Sequence, residues 1–430
     1  MNRETYPSYQ SACGWNELLP PAEPPRALEG NLNADVVIIG AGYTGIAAAR
    51  RWASQRPDDS VVILDASRVG EGSPGRNSGF LLEITLANDA DATALARMAE
   101  CNALIGDTMD RLRDDVYDAK IQCDIEHAGT FRAAAGAKGA DALESYRRFL
   151  DSAGLPYDRL NRDELEARLG TGYYRVGLYS PHCYLVQPAA LIRGLAGLRP
   201  DNVELFENSA VLSLEREGKD HRVRTEHSSV KAPVVLLANN AFAKLLGAPA
   251  SRMVAMYTYA GLTEPLSDAE LETLGSETSW GLLPTHRLGC TMRRTRDNRL
   301  LIRSHYGYER EADNNHIARQ LLASLRLRFP QLELDGFAST WGGATGFTLN
   351  GAPIWGEIRD GLYASAGCNG GGVVKGTLFG EKLADLALGI AVPDMDRLFG
   401  QARWMPPDPL RRLGFAIVSR IERRQGRAEM

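Results

Sequence analysis

The sequence predicts an α/β protein in which a helix-flanked parallel sheet is combined with an α+β region built on a mostly antiparallel sheet. Two observations support this fold class. Residues 36–39 and 60–64 are uninterrupted apolar runs, separated by an alanine-rich stretch, and such runs are typical of parallel strands buried on both faces. Beyond residue 210, shorter strand-like segments follow one another, as in antiparallel sheets.

Composition sets limits on the class of protein. The 430 residues are 44% apolar and 24% charged, which is typical of a globular chain. A net charge of -5 disfavours nucleic acid as a partner. The six cysteines form no CxxC pair and have no histidine at ligand spacing, so we expect reduced thiols, no metal and a cytoplasmic location. The N-terminus lacks a secretory pattern, and no apolar run is long enough for a transmembrane segment.

The first predicted elements form one β–α–β unit. The proline-rich residues 20–25 indicate an extended surface arm, and we expect order to begin at Asp35. A strand over residues 36–39 leads into a helix over residues 44–52, and a second strand follows over residues 60–64.

A dinucleotide-binding fingerprint joins these elements. Gly40, Gly42 and Gly45 lie between the first strand and the helix, where they permit a tight turn, approach of a pyrophosphate and close packing. Asp65 follows the second strand, where an acidic side chain accepts hydrogen bonds from a ribose. Its charge disfavours the 2′-phosphate of NADP.

The middle of the chain changes pattern twice. Residues 89–117 place apolar side chains at helical spacing, which predicts long helices; these are Leu95, Met98, Leu104, Ile105, Met109 and Leu112. Strands are predicted over residues 210–214, 222–225 and 234–237. A second group, over residues 253–263, 288–294 and 299–306, predicts an antiparallel substrate-domain sheet, with a hairpin across Asp297 and Asn298.

The C-terminal tail carries six arginines among apolar residues between positions 411 and 427. This pattern favours a helix packed on its own protein with the arginines in solvent. The alternative is an amphipathic basic helix that touches an anionic membrane.

Together with the fingerprint, further segments resemble the FAD-dependent D-amino-acid oxidase superfamily, which includes sarcosine and glycine oxidases. Within it, the γ-glutamylputrescine oxidoreductase-like amine oxidoreductases are the most similar. The resemblance rests on residues 68–79, 235–241, 341–354 and 361–376. It implies a discontinuous Rossmann-like FAD-binding domain over residues 1–88, 170–250 and 336–430. Residues 89–169 and 251–335 would then form the substrate domain.

The resemblance also implies which residues bind FAD. They are Gly40, Gly42, Tyr43, Thr44, Gly45, Asp65, Ala66, Arg68, Gly75, Arg76, Asn77, Ser78, Gly79, Val211, Ala238, Asn240, Gly343, Gly367, Asn369, Gly370, Gly371, Gly372, Val373 and Val374. Two of the matching segments depart from the family pattern. Pro74 replaces a serine, and Gly371 stands where such families usually carry histidine. A helix that begins near residue 373 would direct its backbone N–H groups at the negative charge of a reduced flavin.

Residues 341–354 carry two informative absences. Thr345 stands near the position where glycine oxidase and D-amino-acid oxidase relatives would place an arginine to bind an α-carboxylate, a task for which threonine is unsuited. The segment also lacks the cysteine that tethers flavin in sarcosine oxidases, so we expect FAD to be bound without a covalent link.

The resemblance implies an enzyme that oxidises the C–N bond of an amine or amino-acid derivative, possibly a γ-glutamyl amine. Hydride passes to flavin N5 and the resulting imine hydrolyses. No catalytic acid or base is assigned. Candidate substrate-pocket residues are Tyr257, Tyr259, Arg293, Arg303, His305 and Tyr306. If their strand is regular, Arg303 and His305 share one face and Tyr306 lies on the other.

The electron acceptor stays open between O2 and quinone. A quinone-linked dehydrogenase would react slowly with air, whereas an oxidase would react quickly. A flavin-binding protein without turnover is an alternative from another class, kept open by the departures at Pro74, Thr345, Asn350 and Gly371. An FAD hydroxylase is disfavoured because no late Gly-Asp FAD motif is clear.

Overall fold

The computed structural model describes residues 5–82 and 95–430. The helices are α1 (Gly14–Glu17), α2 (Tyr43–Gln55), α3 (Leu95–Asp118), α4 (Ala137–Ser152), α5 (Arg162–Leu169), α6 (Pro188–Gly197), α7 (Asp268–Leu271), α8 (Asn314–Arg328), α9 (Val374–Ala387), α10 (Met395–Phe399) and α11 (Leu410–Gln425). The strands are β1 (Asn31–Asn33), β2 (Val36–Ile39), β3 (Val61–Leu64), β4 (Phe80–Leu82), β5 (Thr130–Ala134), β6 (Asp158–Asn161), β7 (Val176–Ser180), β8 (Cys183–Leu185), β9 (Val203–Phe206), β10 (Ser213–Glu217), β11 (Asp220–Arg224), β12 (Ser229–Ala232), β13 (Val234–Leu237), β14 (Val254–Leu262), β15 (Trp280–Pro284), β16 (Thr291–Arg294), β17 (Leu300–Tyr308), β18 (Ser339–Phe347), β19 (Ile354–Arg359) and β20 (Leu362–Ala366).

A parallel sheet forms the nucleotide-binding half. Its strand order is β19-β20-β13-β2-β3-β9, and only β19 runs antiparallel to its neighbour. Every residue of β2 and β3 is buried, as the two apolar runs predict. Helices α2, α3 and α9 contribute to the core on one face of this sheet. The predicted β–α–β unit is therefore confirmed.

The second large sheet is mostly antiparallel, as predicted. Its order is β18-β14-β17-β16-β15-β5-β7-β6, and only β15 and β5 pair in parallel. The predicted hairpin across Asp297 and Asn298 joins β16 to β17. One face of the sheet packs against α8. The other face approaches the nucleotide-binding half and buries Trp341 and Leu301.

The structure differs from the predicted domain division at several elements. β7 and β18 are strands of the antiparallel sheet, although the predicted boundaries place them in the FAD-binding domain. Helix α3 packs in the core beside α2 and α9, not in the substrate domain. Strand pairing decides where these elements lie, and apolar patterns do not reveal pairing partners. The part of the predicted helical region over residues 89–94, with the boundary at residue 88, lies outside the described residues.

The N-terminal segment is ordered well before Asp35, contrary to the prediction. Cys13 and Trp15 are fully or almost fully buried between the two halves. The Trp15 indole donates a hydrogen bond to the backbone oxygen of Asn77, at 2.8 Å. Burial of a large aromatic side chain outweighs the polar composition around it. Within the described ranges, no helix is long and apolar enough to cross a bilayer.

Candidate cofactor and substrate site

The turn between β2 and α2 is shaped by close backbone approach. Gly40 has a φ of +107°, which favours glycine. A side chain on Gly45 would overlap the carbonyl oxygen of Gly40, so the first turn of α2 can lie against the end of β2 only without a Cβ. The N-cap residue, Gly42, offers no side-chain acceptor to the first N–H groups of α2. Those donors are available to a phosphate.

Asp65 lies where the fingerprint predicts an acidic group. It follows β3, and its carboxylate accepts hydrogen bonds from the backbone N–H groups of Ala41 (2.7 Å) and Ser67 (2.9 Å). These bonds hold the glycine turn against the loop after β3, which also contains Ala66. Burial is the main cause that raises the pKa of Asp65, and the two N–H donors oppose that shift.

The segment after Ala66 covers the glycine turn. A Cβ on Gly42 would lie 2.9 Å from Cγ of Pro74, so the two segments are in contact there. Asn77 stabilises the covering segment, since its amide donates to the Pro74 oxygen at 2.6 Å and its carbonyl accepts from the Gly79 N–H at 2.8 Å. Tyr43 also directs its hydroxyl at the Pro74 oxygen.

Two arginines assigned to the cofactor use their side chains elsewhere. The Arg76 guanidinium donates to backbone oxygens of Glu71, Gly342 and Ser11, and it stacks on the Tyr9 ring. Arg68 donates to backbone oxygens of the N-terminal arm. Both side chains therefore tie the N-terminal segment to the core. Any contact of these two residues with a nucleotide would come from their backbone.

The loop between β20 and α9 is held by two asparagines. The Asn240 side chain accepts from the Gly367 N–H at 2.9 Å and donates to Sγ of Cys368 at 3.2 Å. The Asn369 side chain accepts from the Thr348 N–H at 2.9 Å. Both asparagines have positive φ, which asparagine tolerates better than most residues. The loop, which includes Gly370, Gly371 and Gly372, is thereby fixed to the end of β18.

Helices α2 and α9 meet at their first turns. The N-cap of α9 is Val373, which supplies no side-chain acceptor to the helix that begins at Val374. A Cβ on Gly376 would lie 3.0 Å from Oγ1 of Thr44, so the start of α9 adjoins the start of α2. Two uncapped helix N-termini thus converge, a combination that suits a ligand with negative charge at more than one point.

Unpaired buried atoms at the same place test the fit of a dinucleotide. Oγ of Ser78 and Oδ1 of Asn239 are buried without a hydrogen-bond partner among the described residues. Both belong to segments that surround the glycine turn, where Asn239 follows Ala238 at the end of β13. Unsatisfied buried polar atoms are uncommon, and a bound ligand is one explanation for them. The residues present therefore fit FAD.

Val211 and Gly343, two further residues that the resemblance assigns to FAD, each contact a residue near the N-terminus or the segment after Ala66. The Val211 backbone oxygen accepts a hydrogen bond from the Thr5 hydroxyl. Gly343, on β18, lies against Arg76, because a Cβ there would be 3.2 Å from Cβ of Arg76.

The face of the antiparallel sheet that approaches this region carries Arg303, Thr258 and Tyr306. Arg303 donates to the Thr258 hydroxyl. Burial lowers the pKa of the Arg303 guanidinium, while Tyr306 and Cys368 are near enough to oppose that shift. No carboxylate of the described residues pairs with Arg303. A half-buried cation without an acidic partner is available to a ligand that carries negative charge.

A β-bulge at His305 changes which side chains share this face. His305 has a φ of +61°, and the pairing with β14 skips it, since Tyr259 is opposite Ser304 and Thr258 is opposite Tyr306. Arg303 and Tyr306 consequently share one face. The predicted alternation, which placed Arg303 with His305, is wrong because the strand is not regular.

His305 itself lies beside Ser419 and Arg423 of α11. Burial, helped by the positive charge of Arg423, lowers the pKa of His305 to about 4. It is therefore uncharged at neutral pH.

The two tyrosines of β14 lie on the face of the sheet opposite to the one that carries Arg303. Tyr257 and Tyr259 belong to the core beneath α8. The Tyr259 hydroxyl accepts a hydrogen bond from the Ala312 N–H at 2.5 Å. Sequence reasoning placed both in the substrate pocket, but their strand turns them away from Arg303.

Arg293 faces the same way as Arg303 but has a different environment. It is 2% exposed and donates to the backbone oxygens of Val186 and Ser78. Burial lowers its pKa to about 10. Arg293 thus holds the Ser78 segment to the strand end before α6, and its guanidinium is already engaged.

This fold and site define a dinucleotide-binding flavoprotein. The chain belongs to the FAD-dependent oxidoreductase family, whose model matches residues 35–386. FAD is accordingly its cofactor, and it is an oxidoreductase. The segments described above are the ones that would hold it.

Curated relatives cover most of the chain. A γ-glutamylputrescine oxidoreductase of Escherichia coli K12 is 27% identical over 371 residues, covering 85% of this chain and 86% of its own. A probable oxidoreductase OrdL of Rhizobium meliloti is 28% identical, covering 87% and 88%. Among solved structures, glycine oxidase of Geobacillus kaustophilus superimposes with a TM-score of 0.72 at 21% identity, over 87% of this chain and all of that one. The structural likeness supports the fold.

Proposed function

We propose that this enzyme oxidises the C–N bond of an amine or amino-acid derivative that also carries a carboxylate. The observation that carries the proposal is Arg303, a half-buried guanidinium that faces the flavin-binding half and has no carboxylate partner among the described residues. A γ-glutamyl amine, the kind of substrate that the name of the Escherichia coli relative gives, has such a carboxylate at its glutamyl end.

Thr345 strengthens the case for Arg303. It lies on the same face, since Thr345 is opposite Met256 of β14 while Gly343 is opposite Thr258. Its hydroxyl cannot form the paired hydrogen bonds that arginine makes with a carboxylate. Arg303 approaches from β17 instead, so it would hold a carboxylate at a different point of the sheet.

The protein's task in the reaction is to position the substrate. When bound, FAD would supply the acceptor for a hydride from the carbon that carries the amine nitrogen. Arg303, oriented by Thr258, would fix the substrate carboxylate so that this carbon is aligned. The substrate loses one hydride and one proton to become an imine, which water hydrolyses to a carbonyl compound and ammonia, or an amine where the substrate nitrogen carries a second carbon. We assign no side chain to the proton; His305, the bulged residue, lies beside α11.

The experiment is anaerobic bleaching of the flavin in the visible band. Purified yellow protein is mixed with γ-glutamyl amines, polyamines, N-methyl amino acids and D-amino acids. Arg303→Met should lower kcat/KM for a carboxylate-bearing donor by roughly 10- to 100-fold, the value of a charged hydrogen-bonded pair. Donors without a carboxylate should be unaffected.

Arg299→Gln is the matched control, since Arg299 lies at the same hairpin but already pairs with the carboxylates of Asp297 at 2.8 Å and Glu264 at 3.3 Å. Equal loss with both classes of donor would refute the role of Arg303. A yellow protein that no donor reduces would favour the alternative of a flavin-binding protein without turnover.

The electron acceptor distinguishes two versions of this function. Fast reoxidation of the reduced flavin by air would indicate an oxidase. Slow reoxidation by air with fast reoxidation by a quinone analogue would indicate a quinone-linked dehydrogenase, which the outward apolar side chains of α11 favour.

A further inference from the structure

Helix α11 exposes an apolar stripe to solvent. The stripe consists of Leu410, Leu413, Ile417, Val418 and Ile421, whose side chains are between 47% and 62% exposed. Four of them recur at intervals of three and four residues, which places them along one face of the helix. None of the residues of α11 is buried. The helix packs on the protein with its arginines in solvent, as the sequence predicts, but it does so through another face and leaves the apolar stripe exposed.

The opposite face of α11 is the one that contacts the protein. The Phe415 ring lies 5.3 Å from the ring of Tyr308. Glu422 pairs with Nε2 of His286 at 2.8 Å. These contacts fix the rotation of the helix, so the apolar stripe points outward as a consequence of the fold.

Both ends of α11 are anchored to the body of the protein. Before the helix, Met405 is buried. After it, the buried Glu429 carboxylate accepts hydrogen bonds from the N–H groups of Ala135 and Gly136. Arg328, also buried, donates to the Glu429 and Met430 backbone oxygens at 3.1 Å. The helix is thus strapped across the surface.

The charges around the apolar stripe identify what can cover it. Arg412, Arg420, Arg423 and Arg424 are all exposed on α11. The single carboxylate of the helix, Glu422, faces inward and is paired. An apolar stripe flanked by cations and free of outward carboxylates matches a lipid surface with negative headgroups. A second copy of the same face would bring these arginines together, which disfavours a homodimer.

We infer that α11 is an in-plane anchor that docks this enzyme on an anionic lipid surface. The apolar stripe enters the boundary between headgroups and acyl chains, while the arginines contact the headgroups. Because Phe415 packs on Tyr308 of β17, the docked face is adjacent to the strand that carries Arg303. The inference is independent of which amine the enzyme oxidises.

Vesicle sedimentation of the yellow holoenzyme tests this inference. Vesicles of phosphatidylcholine alone are compared with vesicles that also contain phosphatidylglycerol, and flavin absorbance reports the bound protein. We expect binding to the anionic vesicles only, weakened by salt because the attraction is screened.

Two pairs of substitutions separate the contributions. Arg420→Gln with Arg424→Gln should lower the partition coefficient roughly 30-fold, because each arginine near an anionic surface contributes about 1 kcal/mol to binding. Leu413→Ser with Ile417→Ser should lower it at least roughly tenfold. The controls are Arg56→Gln with Arg159→Gln and, separately, Leu327→Ser, whose side chain is 59% exposed on α8. The controls should bind like the parent.

Other outcomes would overturn the inference. Absence of sedimentation with either vesicle would do so, as would equal loss in the control variants. Concentration-dependent dimers that Ile417→Ser abolishes, without vesicle binding, would show that a second copy covers the apolar stripe. Substrate bleaching of each variant is measured separately, so a failure of lipid docking is distinguishable from a failure of the proposed reaction.

Discussion

The two large sheets contribute different kinds of chemical group to the candidate site. Around the glycine turn, the groups that face a ligand belong to the backbone, and the starts of α2 and α9 carry no side-chain caps. Across the antiparallel sheet, by contrast, the ligand-facing groups are side chains such as Arg303, aligned by strand pairing and one bulge. The first arrangement suits a cofactor that does not change. In the second arrangement, single side-chain substitutions can change which substrate is preferred without disturbing the cofactor.

The largest expected effect comes from a side chain at Gly45. Gly45→Val places carbon atoms on the Gly40 carbonyl and separates α2 from β2. We expect a loss of more than about 3 kcal/mol in the free energy of unfolding and a colourless protein. Gly106→Ala is the control, because Gly106 lies within α3 and has open space around its Cβ position. A yellow, stable Gly45→Val variant would contradict the close approach; urea unfolding and the FAD content decide.

The next effect separates the two arginines that face the cofactor region. Arg293→Met leaves the Ser78 and Val186 oxygens without their donor, so we expect about 2 kcal/mol lower unfolding free energy and weaker FAD retention, with KM unchanged. Arg303→Met should instead raise KM for a carboxylate donor while the protein keeps its FAD. If Arg293→Met raised KM and left FAD retention intact, the two assignments would have to be exchanged.

This division also explains what the sequence could predict. Gly40, Gly45 and Asp65 were predictable because the chemistry of a phosphate turn restricts residue type at fixed spacing. The strand apolar runs and the hairpin at Asn298 were predictable for similar local reasons. Arg303 could be named as a candidate because arginine suits a carboxylate. Its neighbours could not be predicted, because they belong to strands that are distant in sequence.

The bulge at His305 left no signal in the sequence. Its effect was to bring Tyr306 onto the face of Arg303, and it follows from pairing with β14, which periodicity alone does not define. Thr258 was missed for the same reason. Trp15 could have been noticed, since a tryptophan in a polar N-terminal segment is a candidate for burial.

A smaller effect concerns pH and places His305 outside the reaction. The pKa of His305 is about 4 in the folded protein and ordinarily 6.5, so the unfolded chain binds more protons between these values. Stability is therefore complete well above pH 6.5 and falls as the pH is lowered, by about 2 kcal/mol at pH 5.

His305→Asn should flatten this dependence in urea unfolding, because asparagine does not titrate and tolerates a positive φ. The exposed His227, replaced in the same way, should leave it unchanged. The pH profile of kcat/KM should be the same in both variants. A changed profile in His305→Asn alone would return His305 to the substrate site.

The smallest expected effect tests how Arg303 is aligned. Thr258→Val keeps the shape of the side chain but removes the hydroxyl that accepts from Arg303. One neutral-acceptor hydrogen bond corresponds to roughly a 3- to 10-fold rise in KM for a carboxylate donor, with little change in FAD content. Thr340→Val is the control, since Thr340 is opposite Gly261 and faces the other side of β18. Equal effects of both substitutions would mean that loss of a strand threonine, and not the contact with Arg303, changes KM. A rise confined to Thr258→Val and to carboxylate donors would connect β14, β17 and the substrate through a single hydroxyl.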